Sequence, residues 1–154
     1  MSFIEKNLLT NEQIVFRTQK HLIIFFAPVA WTLAAAICYF NDNPLVQKAS
    51  LLFALIGLFY WLTTYLVYIT SEFAVTNLRI MMKEGVFVRH SNETRLSAIA
   101  QVSVTQGIPG QILGYGTVAI NVFGGDTDVF SGIASPIQFQ KHAQEQLTRL
   151  PNQR

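Results

Sequence analysis

Residues 113–123 read LGYGTVAINVF, and this stretch decides which fold the sequence specifies. Gly114, Gly116 and Ala119 match G-x-G-x-x-A, a variant of the glycine-rich turn that binds dinucleotides. That turn needs a helix directly after the glycines, so that the helix N-terminus faces the phosphates. Here the glycines precede TVAINVF, whose apolar residues recur at every second position, as in a β-strand. The stretch therefore predicts a tight turn leading into a strand, and we expect no nucleotide site.

Further short segments with strand character lie on both sides of this one. They are residues 73–75, 80–82, 86–88, 99–106 and 128–133, with turn residues between them. Gly110, Gly114 and Gly116 are expected to let the chain turn tightly between two strands. From Pro136 onward apolar residues recur at helical spacing up to Leu150. The pattern predicts six or seven antiparallel strands in a sandwich or barrel, followed by one C-terminal helix.

Two long apolar segments precede the β region. Residues 22–40 and 51–69 contain no Asp, Glu, Lys, Arg or His. Each is long enough for a helix of roughly 28 Å, close to the bilayer core of about 30 Å. The connection at 41–50 is short and rich in turn residues, so the two segments are predicted to form a transmembrane hairpin. Buried helices of a soluble protein are the less favoured alternative.

The distribution of Lys and Arg predicts the orientation and the domains. Lys6, Arg17 and Lys20 precede the hairpin, and the connection carries Lys48 alone. By the positive-inside rule both termini are expected in the cytoplasm. We predict a cytoplasmic N-terminal segment at 1–21, the hairpin at 22–69 and a cytoplasmic β domain at 70–154. The β domain carries seven Lys or Arg against six Asp or Glu. A nucleic-acid-binding surface needs a cluster of basic residues, so we expect no nucleic-acid partner.

Candidate catalytic and metal-binding residues are few and scattered. His21, His90 and His142 are far apart in sequence, and Cys38 is the only cysteine, so we expect neither a metal nor a cofactor. The Asp126 and Asp128 pair sits in Gly-Gly-Asp-Thr-Asp and is typical of a solvated turn. An enzyme would require a site assembled from such scattered residues. We therefore predict a non-enzymatic protein without a small-molecule substrate.

Several motifs in the β region resemble those of a known family. They are "VTN-x-R" from Val75, "G-V" at Gly85, "I-x-x-V-x-V-x-Q" from Ile99, LGYGTV from Leu113 and a closing helix that starts at a proline. Together they resemble the bacterial pleckstrin-homology (PH)-like domain of the YdbS type, formerly a domain of unknown function. This resemblance implies a bent seven-stranded antiparallel sheet capped by one C-terminal helix. It also implies a bacterial inner-membrane protein, but no ligand, because PH folds bind lipids, peptides or proteins.

The function predicted from these observations is non-catalytic binding or scaffolding. We expect the PH-like domain to recognise a protein partner, or a second copy of itself, at the cytoplasmic face of the membrane. One alternative is recognition of anionic lipid headgroups through Arg79, Lys83 and Arg89. A third, less favoured hypothesis is an accessory subunit of a larger membrane enzyme or transport complex.

Small residues in the apolar segments indicate close helix packing. Ala30 and Ala34 form a small-xxx-small pair, and Ala54 with Gly57 offers a second small patch. We expect these residues to join the two helices of one hairpin. Assembly with other chains through the remaining surface is the alternative.

Overall fold

The structure is a computed structural model that describes residues 3–85 and 90–149. It divides into two compact units, residues 22–69 and the remainder of the chain. The sequence-based boundaries at 22 and 70 coincide with this division. The N-terminal segment, treated above as separate, belongs to the same compact unit as residues 70–154.

The first unit is a pair of helices. A 3₁₀ turn at Leu22–Phe25 leads into α2 (Phe26–Tyr39), and α3 spans Pro44–Thr70. The short helix α1 (Phe3–Lys6) precedes them in the chain and belongs to the other unit. Leu22–Tyr39 and Pro44–Thr70 have mean hydropathies of 2.1 and 1.8, and only 6% of an 18-residue apolar stretch of each is buried. By length and composition both could cross a membrane.

The connection between these helices is shorter than the sequence analysis predicted. The predicted ten-residue loop at 41–50 is wrong, because α3 already begins at Pro44. Asn43 caps this helix, since its Oδ1 accepts the backbone N–H of Leu45 at 3.0 Å. Proline suits the first helical position because it has no N–H to satisfy there. The Asn-Pro pair therefore starts the helix seven residues before the apolar run at 51.

The second unit contains two antiparallel sheets within its described residues. The first has the order β1-β2-β3-β4 and the second β5-β6-β7. The strands are β1 Ile14–Thr18, β2 Glu72–Thr76, β3 Arg79–Glu84, β4 His90–Arg95, β5 Ile99–Thr105, β6 Tyr115–Val122 and β7 Thr127–Ala134. Lys20 forms an isolated antiparallel bridge with Ile133, which joins the segment after β1 to β7. The strand predicted at 86–88 lies outside the described residues.

One hydrophobic core lies between the two sheets. Alternate residues of the strands point inward, including Phe73, Ile80, Val102 and Val118, all at most 1% exposed. The C-terminal helix α5 (Pro136–Arg149) covers this core with Phe139 and Ala143, residues that the helical pattern had singled out. The side-chain amide of Gln140 on α5 also donates a hydrogen bond to the Val102 carbonyl of β5 at 2.8 Å.

A second, smaller cluster lies on the outer face of the first sheet. Ile4 of α1 is 1% exposed and packs with Ala74 and Met81. The segment before the hairpin thus covers part of this face with α1 and extends the sheet with β1. Neither α1 nor β1 was predicted from the sequence pattern.

The glycine-rich stretch forms a helix and then a strand. A short helix, α4 (Ile108–Leu113), ends at Gly114, whose φ of +77° is left-handed, and β6 begins at Tyr115. The prediction of a simple tight turn missed this helix, but the strand after the glycines is where the periodicity placed it. A helix before the glycines and a strand after them is the reverse of a dinucleotide-binding turn.

Candidate functional site

A buried ion pair connects the N-terminal segment to the β2–β3 turn. Arg79 donates hydrogen bonds to both carboxylate oxygens of Glu12, at 3.0 Å from Nε and 2.9 Å from Nη2. The Glu12 side chain is fully buried and that of Arg79 is 13% exposed. Arg79 also donates to the Asn7 carbonyl at 2.6 Å and to the Glu93 carboxylate.

Glu12 is held by backbone and hydroxyl donors as well. The backbone N–H of Leu9 and the hydroxyl of Thr76 donate to its two oxygens at 2.8 and 2.7 Å. Burial raises the pKa of Glu12, but these bonds together with Arg79 outweigh burial and hold the pKa below its usual value. The hydrogen bonds and charge of Glu12 in turn raise the pKa of Arg79. The pair therefore stays ionised in the folded chain.

This pair predicts a specific pH dependence. Because the pKa of Glu12 is lowered on folding, its ionised form stabilises the fold above its unfolded pKa of about 4.5, and this contribution is lost as the pH falls through the lower folded pKa. In Arg79→Met, burial without the cation should raise the pKa of Glu12 instead. We expect the difference in unfolding free energy between the two proteins to be largest above about pH 5 and to shrink toward pH 3. A constant difference over this range in urea titrations would contradict the assignment.

A pocket of about 590 Å³ lies beside this network on the outer face of the first sheet. We call it the distal pocket. It is lined by Leu9, Leu78, Arg79, Glu93, Arg95 and Ser97. Its two leucines remain 56% and 43% exposed although they line a concave surface. The pocket therefore presents both apolar and charged groups to an incoming ligand.

The position of the distal pocket follows from the strand directions. The chain enters and leaves the hairpin after β1 and before β2, and those ends are adjacent because Thr18 pairs with Phe73. The β2–β3 turn with Leu78 and the last residue of β4, Arg95, lie at the other end of the same sheet. β2 alone separates the two ends by about 13 Å. The pocket thus lies at the end remote from the hairpin connections.

The three basic residues predicted for headgroup contact are not brought together. Arg79 begins β3 and Lys83 lies four residues further along it, about 13 Å away. Arg79 is engaged by Glu12 and Glu93 as described above, and Lys83 pairs across the sheet with Glu72. Arg89 lies outside the described residues. Headgroup contact remains a prediction, and the guanidinium of Arg79 is already occupied by protein groups.

The candidate catalytic and metal-binding residues occupy separate elements. Asp126 lies in the turn after β6, Asp128 on β7 and His90 at the start of β4. The His21 ring stacks on Tyr115, whereas His142 on α5 stacks on Phe16. In residues 3–85 and 90–149 no group of three His, Cys, Asp or Glu could hold a metal ion.

The small residues of the hairpin differ in their surroundings. Gly57 is buried, and a Cβ added to it would lie 3.4 Å from Cγ2 of Thr32 on the other helix. Ala34 is half-buried and Ala30 is exposed. Ala54 is exposed too and lines a shallow groove with Ala35, Ala36, Tyr39, Phe40, Ser50 and Leu51. Gly57 therefore lies at the contact between α2 and α3, and the groove side of Ala54 is open.

Comparison with known proteins identifies the fold family. Residues 22–150 match the family of bacterial PH domains. The chain belongs to this family. As a bacterial PH-domain protein it carries a binding module, and the antiparallel sheets with a C-terminal helix are the PH-like part of the chain. Glu12 and β1 precede the matched residues, yet they complete this domain.

One solved structure matches this chain at low similarity. It is the crystal structure of a DUF1696 family protein with a pleckstrin-homology domain from Shewanella loihica PV-4. The identity is 10%, the TM-score is 0.46, and the match covers 93% of this chain and 88% of that chain. No curated protein matches the sequence.

Of the residues that line the distal pocket, sequence reasoning predicted only Arg79 as a binding residue, and it also missed Glu12 beside the pocket. Arg95 received no role, because it ends a polar strand, HSNETR, without apolar alternation. Glu12 was assigned no partner, since nothing in the sequence connects it to a residue 67 positions away. One signal in the sequence could have found the pair. Arg79 is a charged residue directly before the apolar residues 80–82, and a cation buried in such a strand needs a carboxylate partner.

Proposed function

We propose that this bacterial PH-domain protein, of the YdbS type, is a membrane-anchored binding module without catalytic activity. The hairpin anchors it in the inner membrane with both termini in the cytoplasm, and the PH-like domain recognises a protein partner. The distal pocket carries this proposal. It is concave, partly apolar and charged, and it lies at the end of the sheet remote from the hairpin connections.

The properties of the hairpin support the anchoring part of the proposal. Large apolar side chains on both helices are exposed, among them Leu33, Ile37, Leu58 and Leu62 at 58–72%. In water such a surface would be costly, at about 25 cal/mol per Å² of apolar area. In a bilayer it is the surface expected of a spanning helix.

The position of the pocket favours a protein over a lipid headgroup. Lipid headgroups would meet the domain near the connections to the hairpin. The distal pocket lies at the other end of the first sheet, about 13 Å along β2 from those connections. Lys83, which is nearer the connections, lies opposite Glu72, so its charge is accompanied by an opposite one.

Purification of the full chain from membranes tests the proposal. We expect the chain to stay in the membrane fraction after alkaline carbonate extraction and to leave it in mild detergent together with a partner, or as an oligomer. Arg95→Glu should release the partner while the chain stays in the membrane. A chain that washes off with carbonate, or that is strictly monomeric and free of partners, would contradict the proposal.

A further inference from the structure

We propose that the distal pocket docks an acidic, apolar segment of the partner protein, with Arg95 as the cation that receives its carboxylate. This inference rests on the proposed function and adds the chemistry of the partner.

Arg95 faces a second arginine across the sheet. Arg79 and Arg95 are paired residues of β3 and β4, so their side chains lie on the same outer face. Like charges placed directly opposite each other repel. Arg79 is compensated by Glu12 and Glu93, whereas no carboxylate of the described residues forms an ion pair with Arg95. The two arginines and the two carboxylates balance in number, but both carboxylates bind Arg79. Arg95 is therefore the cation of this cluster that has no ion pair within the described residues.

The apolar part of the pocket adjoins this cation. The backbone N–H of Leu96, next to Arg95, donates to the Leu78 carbonyl at 3.1 Å. Leu78 and Leu9 are both substantially exposed, and Ser97 lines the same pocket. A carboxylate beside an apolar side chain would use the cation, Ser97 and the leucines together. A peptide segment offers that combination, whereas a small inorganic anion would leave the leucines exposed.

Selection from a random-peptide phage library on the full chain in neutral-lipid nanodiscs tests the proposal. We expect enriched peptides to carry Asp or Glu next to Leu, Ile or Phe. Arg95→Glu should weaken the binding of a fluorescein-labelled enriched peptide about tenfold, and Arg95→Gln about threefold to fivefold. The matched control, Lys141→Glu on the exposed face of α5, should bind as the unmodified chain does. Binding should also weaken as salt is raised.

The outcomes separate this inference from the proposed function. Enriched peptides without acidic residues, or equal binding to Arg95→Glu, would overturn the acidic-segment proposal and leave protein binding standing. Displacement of the peptide by anionic vesicles at salt-matched conditions would overturn it in favour of a lipid. Failure to enrich any peptide would overturn both. Arg95→Gln should unfold at the same urea concentration as the unmodified chain, which excludes a general structural effect.

Discussion

Replacing Arg79 by methionine is expected to destabilise the PH-like domain by about 3–5 kcal/mol. Methionine retains much of the apolar stem but removes the guanidinium that binds Glu12, Glu93 and the Asn7 carbonyl. The Glu12 carboxylate, whose side chain is fully buried, would then lack a cation. An uncompensated buried charge costs several times more than a lost surface contact. Pulse proteolysis of the full chain in detergent and urea measures this free energy.

Two further variants show whether the loss of stability in Arg79→Met comes from burying the Glu12 carboxylate without a cation. Arg17→Met removes an arginine that is 45% exposed and pairs with Glu5 and Glu72, so it should cost less than about 1 kcal/mol. Adding Glu12→Leu to Arg79→Met removes both charges and should recover much of the lost stability. If Arg79→Met cost no more than Arg17→Met, the buried pair would not be the link between the N-terminal segment and the sheet.

Gly110→Ala is expected to destabilise the same domain by about 1–3 kcal/mol. A Cβ at this position would lie 2.5 Å from the backbone oxygen of Tyr115, and that oxygen cannot move without shifting the start of β6. Gly116→Ala should have a comparable effect. Its Cβ would meet Cγ of Gln106 at 2.7 Å and the Thr105 oxygen at 2.9 Å. Gly110 thus lets α4 approach the start of β6, and Gly116 lets β6 approach the end of β5.

Other glycines of the stretch supply matched controls. Gly107 has a φ of −73° and only an ordinary contact, 3.8 Å to Pro109, so Gly107→Ala should change stability by less than about 0.5 kcal/mol. Gly114 has open space but a φ of +77°, so Gly114→Ala should cost about 1 kcal/mol through backbone strain alone. Equal effects at Gly107 and Gly110 in the urea measurement would show that close packing is not the reason for these glycines.

Much of the PH-like fold could be predicted because its strands have one buried and one exposed face. Val118, Ile120 and the alternation around them specify β6, and Phe139 with Ala143 specifies α5. The family resemblance, seen in the LGYGTV motif, agrees with the match to bacterial PH domains. The strand alternation, the helical spacing and the LGYGTV motif are all local in sequence, so they can be recognised in one sequence without an alignment.

The elements that were missed lack such a local signal. β4 reads HSNETR, an edge strand with polar residues throughout, and polar edge strands have no apolar alternation to detect. β1 is separated from its partner β2 by the whole hairpin, so its pairing is visible only in three dimensions. The helix α4 is six residues long and contains Pro109 and Gly110, which read as turn residues.

The distal pocket depends on the same long-range contacts. It joins Leu9 of the N-terminal segment to residues of β3 and β4, and no spacing in the sequence relates them. The basic residues were instead chosen by type and by their nearness to the hairpin. That choice included Arg79, which has a structural partner, and passed over Arg95, which forms no ion pair within the described residues.

Site-specific photo-crosslinking in living cells tests whether a protein partner occupies the distal pocket of a membrane-anchored PH-domain protein. A photo-reactive amino acid replaces Leu78 in the full chain, and the control places it at the exposed Gln138 of α5. We expect a discrete protein adduct in the membrane fraction through position 78, which is absent at position 138 and is lost when Arg95→Glu is added. No adduct at position 78, or the same adducts at both positions regardless of Arg95, would contradict it.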